Sequence, residues 1–213
     1  MATFLWHPET KETKIVNQPF REYTGDIDYT AACFGLDSKN DDCKIVMVDT
    51  STYRSKDGMF RILIYSLKKG QAWKWVSIIF KDNYVGIKPR GSCGECVGGM
   101  CSWILRREKI AGNGDVVVQE EIMSVDIGSG VLILTPLPSV ICDSKPDCSN
   151  FLTAIDGSLA VISSVFGDQY SIWILGEYDV KKSWRKLYAV CSIQYQIREL
   201  PFFRKQGCIG GCC

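Results

Sequence analysis

Ser171 to Val190, SIWILGEYDVKKSWRKLYAV, is the stretch on which the fold assignment turns. It opens with a short apolar strand, SIWIL, rich in β-branched and aromatic side chains. A polar connection, GEYDVKKS, follows, and then a second strand anchored by Trp184. The same layout recurs at Arg61 to Ser77, RILIYSLKKGQAWKWVS, where Trp73 and Trp75 take the place of Trp184. Glu120 to Pro138, EEIMSVDIGSGVLILTPLP, is a third copy with an aliphatic second strand. A clipped fourth, FLWHPETKETKIV, covers Phe4 to Val16. With Leu5, Ile64, Val125 and Ile174 as equivalent points, the spacings are 59, 61 and 49 residues. A strand-turn-strand unit recurring at tens of residues signals a repeat architecture, and for β units a propeller is the leading candidate.

Nothing in the chain sustains an apolar i, i+3, i+4, i+7 pattern over three turns, so long helices are not expected. Strand signals are dense instead. One group comprises Ala32 to Leu36, Lys44 to Asp49, Phe60 to Leu67 and Ala72 to Phe80; a second, Glu95 to Val97, Cys101 to Arg107, Glu120 to Asp126 and Val131 to Thr135. A third comprises Phe151 to Ile155, Leu159 to Val165, Tyr170 to Leu175 and Trp184 to Val190. Ser192 to Leu200, SIQYQIREL, alternates well enough for one more strand. Gly-, Asn- and Asp-rich turns separate the runs, and Asp156–Gly157 is the strongest hairpin signal. The pattern predicts an all-β, antiparallel, propeller-like fold of about three four-stranded units plus a partial one. It occupies one domain over residues 1–203, with a flexible Cys-rich tail at 204–213.

The 213 residues suffice for one sizeable core. Hydrophobic residues make up 46% and charged residues 23%, a globular rather than disordered composition. A net charge of +1 provides no long-range field for collecting phosphate backbones, which argues against nucleic acid as the partner. The start, MATFLWHPETKE, lacks the regions of a signal peptide, and no apolar run is long enough to span a bilayer. The expected location is cytoplasmic or nuclear, with no stable membrane insertion. In that reducing setting the 11 cysteines read as thiols, and Cys33, Cys43 and Cys191 as small buried hydrophobes.

Catalytic chemistry finds no support. His7 is the single histidine and sits in a turn, so a Ser-His-Asp or Cys-His mechanism lacks a pre-oriented base. Asp41–Asp42 and Glu120–Glu121 are neighbours that point to opposite faces of a strand, so neither pair is an acid/base dyad. No phosphate-binding GxxxxGK[ST] loop is present. Cys93-Gly-Glu-Cys96 with Cys101 is the sharpest local pattern, but a closed zinc site needs four ligands. Cys142 and Cys148 could join it only if the two loops meet. No cofactor is therefore expected, and Cys93, Cys96 and Cys101 stand as weak metal-ligand candidates. The terminal Cys212–Cys213 fails the CaaX pattern because Gly210 occupies the required cysteine position.

Several phrases carry a family resemblance: LWHPETKE near the start, FGLDSKNDDCKIV at Phe34 to Val46, FRILIYSLKKGQAW at Phe60 to Trp73, GMCSWIL at Gly99 to Leu105, IMSVDIGSGVLILTPLP, and SIWILGEYDVKKSW. In this order they resemble the F-box-associated domain of plant F-box proteins, a propeller-like module. The resemblance implies a non-catalytic protein-interaction module that recognises the target protein of an SCF-type ubiquitin ligase. The F-box helices that would bind a Skp-family adaptor do not precede LWHPETKE, so adaptor binding by this chain is not expected. A cysteine-loop metal- or small-molecule-binding β protein is the alternative.

In a blade of strands a to d, the a–b and c–d connections leave one end of the sheet and the b–c and d–a connections the other. The first end, with Asp41 and Lys69, carries mostly tight turns. The second carries long ones, among them Thr50 to Met59, Lys81 to Gly94 and Glu108 to Gln119. Long loops on a rigid scaffold concentrate binding residues, and tyrosine and arginine are favoured anchors. Tyr53, Arg54, Tyr84, Lys88 and Arg90 are accordingly the expected target contacts.

Overall fold

The run Asp42–Asp49, DCKIVMVD, carries apolar side chains at consecutive positions, so it presents a hydrophobic surface on both sides and needs a packed layer against each. A computed structural model of the chain shows how that requirement is met. It describes residues 2–7, 9–17, 29–49, 59–68, 72–79, 84–138, 141, 148–165 and 169–191.

Fourteen strands form among these residues. A hairpin of β1 (Ala2–Trp6) and β2 (Thr13–Asn17) is followed by β3 (Tyr29–Asp37), β4 (Asp42–Asp49), β5 (Met59–Ser66) and β6 (Trp73–Ile79). Next come β7 (Tyr84–Val97), β8 (Met100–Ile110), β9 (Val116–Asp126) and β10 (Leu132–Pro136). Last are β11 (Cys148–Ile155), β12 (Ser158–Val165), β13 (Gln169–Ile174) and β14 (Arg185–Cys191). Each consecutive set of four is an antiparallel meander. The first two meanders are joined through their leading strands, which run parallel and pair at Ala32 and Cys93. The third meander is a separate four-stranded sheet, and its leading strand β11 lies against β7 and β8. Among the described residues the sheets do not close into a ring. The strand proposed at Ser192 to Leu200 and the tail at 204–213 lie outside the described residues.

Three cores separate four layers. Val16 of the hairpin packs with Ile45, Met47, Leu63 and Tyr65 of the first meander. The opposite faces of the same strands, Val46, Val48, Ile62 and Ile64, meet Trp103, Leu105, Met123 and Val125 of the second meander. Ile104 and Ile122 then turn away from that core and pack with Leu159, Val161, Leu175 and Trp184 of the third. The two-residue period of a strand thus feeds two cores from β4, β5, β8 and β9. Hydrogen bonds reinforce the stacking: Trp73 Nε1 donates to the Asn17 carbonyl at 2.8 Å, and Trp184 Nε1 to the Pro136 carbonyl at 2.9 Å.

The Asp156–Gly157 hairpin forms as expected, with φ of 49° and 74° at its two central residues, as a type I′ turn requires. Two expected loops are not loops. Lys81 to Gly94 is largely β7, and Glu108 to Gln119 narrows to a turn at 111–115. Gly86, Pro89, Gly91 and Gly94 read as strand breakers. β7 accommodates them through register shifts against β8 at Tyr84/Gly86 and Arg90/Glu95, the usual work of bulges.

Gly94 is one of those breakers with a packing reason. A Cβ there would lie 2.5 Å from the Trp103 ring and 2.9 Å from the Ser102 carbonyl oxygen. Trp103 is fully buried, so the ring has nowhere to go. Gly94→Ala should destabilise the chain by about 1–3 kcal/mol through overpacking. Trp103→Ala should cost about 3–5 kcal/mol through the cavity it leaves. Urea unfolding of both variants beside the parent, at unchanged m, checks these values.

Candidate interaction face and thiol cluster

At one end of the first two meanders the connections are short and tied together by buried polar groups. Asp37 closes β3, and its side chain is 2% exposed. Its Oδ2 accepts from Lys44 Nζ at 2.7 Å and from Asn40 Nδ2 at 2.7 Å. The same Lys44 ammonium donates to the Ile127 carbonyl at 2.7 Å, so one cation links the β3–β4 turn to the turn after β9. Asp42 accepts from Ser66 Oγ at 2.6 Å and from the Lys68 N–H at 2.9 Å. Asp126 accepts from the Gly128 and Ser129 N–H groups. Lys44 and then Asn40 hold the Asp37 carboxyl down at about 2. Burial pushes Asp42 up, but the Ser66 hydroxyl and Lys68 N–H outweigh it and the net shift is downward. The Ser129 N–H leads the downward shift of Asp126, against burial. Asp41, by contrast, is exposed and pairs with Lys68 at the surface.

The opposite end has a different chemistry. There β8 and β9 run on to a hairpin tip at Ala111–Asp115, closed by the Ala111 N–H on the Asp115 carbonyl at 2.8 Å. Gly114, at φ 88°, supplies the left-handed residue that the turn needs. Ile110, Val116 and Val117 flank it with 58%, 58% and 52% of their surface exposed. Lower on the same strands, Arg107 Nη2 and Glu121 Oε2 pair at 2.7 Å between largely buried side chains. The tip is therefore an apolar end on an ion-paired stem.

Of the expected target contacts, Tyr53 and Arg54 lie outside the described residues. Tyr84, Lys88 and Arg90 are corrected from loop to strand: all three are in β7, and Tyr84 pairs with Lys109 beside the apolar tip. Arg90 Nη1 is 2.7 Å from Glu120 Oε1, and Glu120 Oε2 accepts from Asn150 Nδ2 at 2.9 Å. Glu120 thus ties the second meander to the third, while Arg90 holds Glu120 from within the second. The tip itself was missed, although Asn113–Gly114 between apolar runs is a hairpin signal.

Cys96 and Cys101 face each other across the β7–β8 register. Their thiols meet that of Cys33, read from sequence as a plain core residue, and the three sulfurs lie within 4.8 Å of one another. Cys33 and Cys101 are buried and Cys96 is half-buried. Cys101 and Cys33 donate hydrogen bonds toward the Cys96 sulfur and pull its thiol well below the ordinary range. The weak candidate Cys93 is in β7 opposite Ala32. Cys142 lies outside the described residues, and Cys148 begins β11. His7 is an exposed turn residue whose Nδ1 accepts from the Thr10 N–H at 3.2 Å.

No family model matches the chain. It is 27% identical to F-box protein At4g22390 of Arabidopsis thaliana over 222 aligned positions, which take in 96% of the chain and 52% of the relative. It is 22% identical to F-box protein CPR1 of the same plant over 167 positions, 73% of the chain and 39% of the relative. Its distant relatives are F-box proteins. The chain spans about half the length of the first of these F-box proteins and less of the second. Among the described residues no helix is long and apolar enough to cross a membrane.

The three depressed turn carboxylates set a pH dependence. Each has a folded pKa below its unfolded value, so the stability it contributes is present above the ordinary carboxylate range of about 4 and is lost as pH falls through the folded value, which for Asp37 is about 2. The unfolding midpoint should drop across that window, and Asp37→Asn should be less stable at neutral pH with a shallower acid slope. Thermal melts from pH 7 to pH 2 test both.

Proposed function

We propose that this chain is a non-catalytic protein-interaction module that holds the target protein of an SCF-type ubiquitin ligase. The relationship to F-box proteins across nearly the whole chain supports the class. The layered meanders support a propeller-like module resembling the F-box-associated domain, with each meander as a blade. Their leading strands β3 and β7 run parallel and β11 lies against β7, as first strands around a propeller axis would. One such domain over residues 1–203, followed by a tail at 204–213, fits this reading. Action in the cytoplasm or nucleus fits it too.

The exposed apolar tip of β8 and β9 is the observation that carries the placement of the target. Contiguous exposed apolar surface on a soluble scaffold marks interaction sites, and a rigid hairpin presents it at little entropic cost. Ile110 and Val116, paired across the hairpin, form the apolar part on one face and Val117 is exposed on the other; Tyr84 and Lys88 belong to the strand beside it. Tyr53 and Arg54, in the sequence between β4 and β5, remain part of the proposed contact set. Arg90 fixes Glu120, which in turn bonds Asn150 of the third meander, and acts on target binding through that support.

Immobilised chain with Val116→Asp and Val117→Asp should capture its target from plant extract at least tenfold less than the parent, with an unchanged melting temperature. Tyr84→Ala should act in the same direction. Asp41→Ala and Lys68→Ala, at the tight-turn end, should leave capture intact; equal loss from those changes would place the target elsewhere. Quantitative mass spectrometry of the captured proteins reads all four variants.

A further inference from the structure

We propose that Cys33, Cys96 and Cys101 form a three-thiolate binding site for a soft, thiophilic metal cation, zinc or monovalent copper. The proposal is independent of target recognition, since the cluster is buried between meanders and away from the β8–β9 tip. Three features of the fold carry it.

The first is convergence from rigid strands. Cys33 comes from β3, and Cys96 and Cys101 from directly opposed positions of β7 and β8. Their sulfurs already lie within 4.8 Å of one another. Thiolates at a metal–sulfur distance of about 2.3 Å in tetrahedral geometry stand roughly 3.8 Å apart. The sulfurs therefore need to close by about 1 Å or less, within the reach of side-chain torsions on a fixed backbone.

The second is space made for the sulfurs. A Cβ on Gly35 would sit 2.3 Å from Cys96 Sγ and 3.3 Å from Cys101 Sγ. Any side chain at residue 35 would fill the place where those two sulfurs meet. The third is the donor set. Thiolate sulfur selects zinc and monovalent copper over hard cations. Two of the three sulfurs are buried, so bulk water competes weakly for the metal, while half-buried Cys96 leaves one side accessible. On that side zinc would complete four-coordination with a water molecule, as in sites with three protein ligands. Monovalent copper would be satisfied by the three sulfurs.

Binding is an exchange of metal for protons. The S–H bonds break, metal–sulfur bonds form, the protons pass to solvent and nothing is oxidised or reduced.

The test uses the full chain, reduced and stripped of metal. Zinc and monovalent copper are titrated separately against chromogenic chelators, and cobalt(II) serves as a reporter of thiolate ligation through its charge-transfer absorption. The chain has 11 cysteines, so stoichiometry alone does not assign the site. Cys96→Ser is therefore compared with Cys43→Ser, since Cys43 lies outside the cluster. One equivalent of zinc or monovalent copper should bind the parent and Cys43→Ser, and Cys96→Ser should weaken it by about 100-fold or more. Alkylation mapped by mass spectrometry on the parent needs no variant to fold: the bound metal should shield Cys96 and not Cys43. Failure of both ions to bind, equal affinity in the two variants, or an unshielded Cys96 would overturn the proposal.

Discussion

Burial of single strands on both faces is the constraint from which this structure follows. In β4, Ile45 and Met47 face the hairpin core while Val46 and Val48 face the second meander. In β8, Trp103 and Leu105 face the first meander while Ile104 faces the third. Such strands cannot sit at the surface of a two-layer protein, because half of their apolar side chains would be left in water. Stacking is the remedy, and its driving force is the apolar area removed from water, about 25 cal/mol for each Å². Each inner sheet is thereby fixed by its two neighbours.

Stacking leaves the polar groups of the connections at the two ends of the sheets, and the ends have diverged. At the tight-turn end, Asp37, Lys44 and the Ile127 carbonyl satisfy one another, binding two meanders by a single cation. Removing either partner would leave the other buried without compensation, so this end is committed to structure. At the other end, the long β8–β9 hairpin lifts Ile110, Val116 and Val117 clear of the cores. The Arg107–Glu121 pair and the Arg90–Glu120–Asn150 chain stiffen its stem and root it in the third meander.

Much of the layering is written in local sequence. The groups read as Ala32 to Phe80 and Phe151 to Val190 fall on β3–β6 and β11–β14, because β-branched and aromatic runs between Gly-, Asn- and Asp-rich turns are strong signals. β7 was legible only at its end, Glu95 to Val97. Upstream, Gly86, Pro89, Gly91 and Gly94 obscure a strand whose register shifts twice. The thiol cluster was half legible. Cys96 and Cys101 are near in sequence, but Cys33 arrives through the parallel meeting of β3 with β7, and no local pattern encodes such a pairing. The apolar tip was concealed differently, since a strong Asn-Gly turn was absorbed into a longer connection.

Native-state hydrogen exchange, resolved by residue, tests the layered account most directly. Amides of strands buried on both faces should open only with global unfolding. The slowest exchange should therefore fall in Lys44 to Val48, Ile62 to Tyr65, Cys101 to Leu105 and Ile122 to Val125, with a common opening free energy. The outer hairpin β1–β2 and the far edge β14 should exchange faster, through local opening. Meanders that open independently of one another, or slowest exchange in β1–β2 or β14, would contradict it.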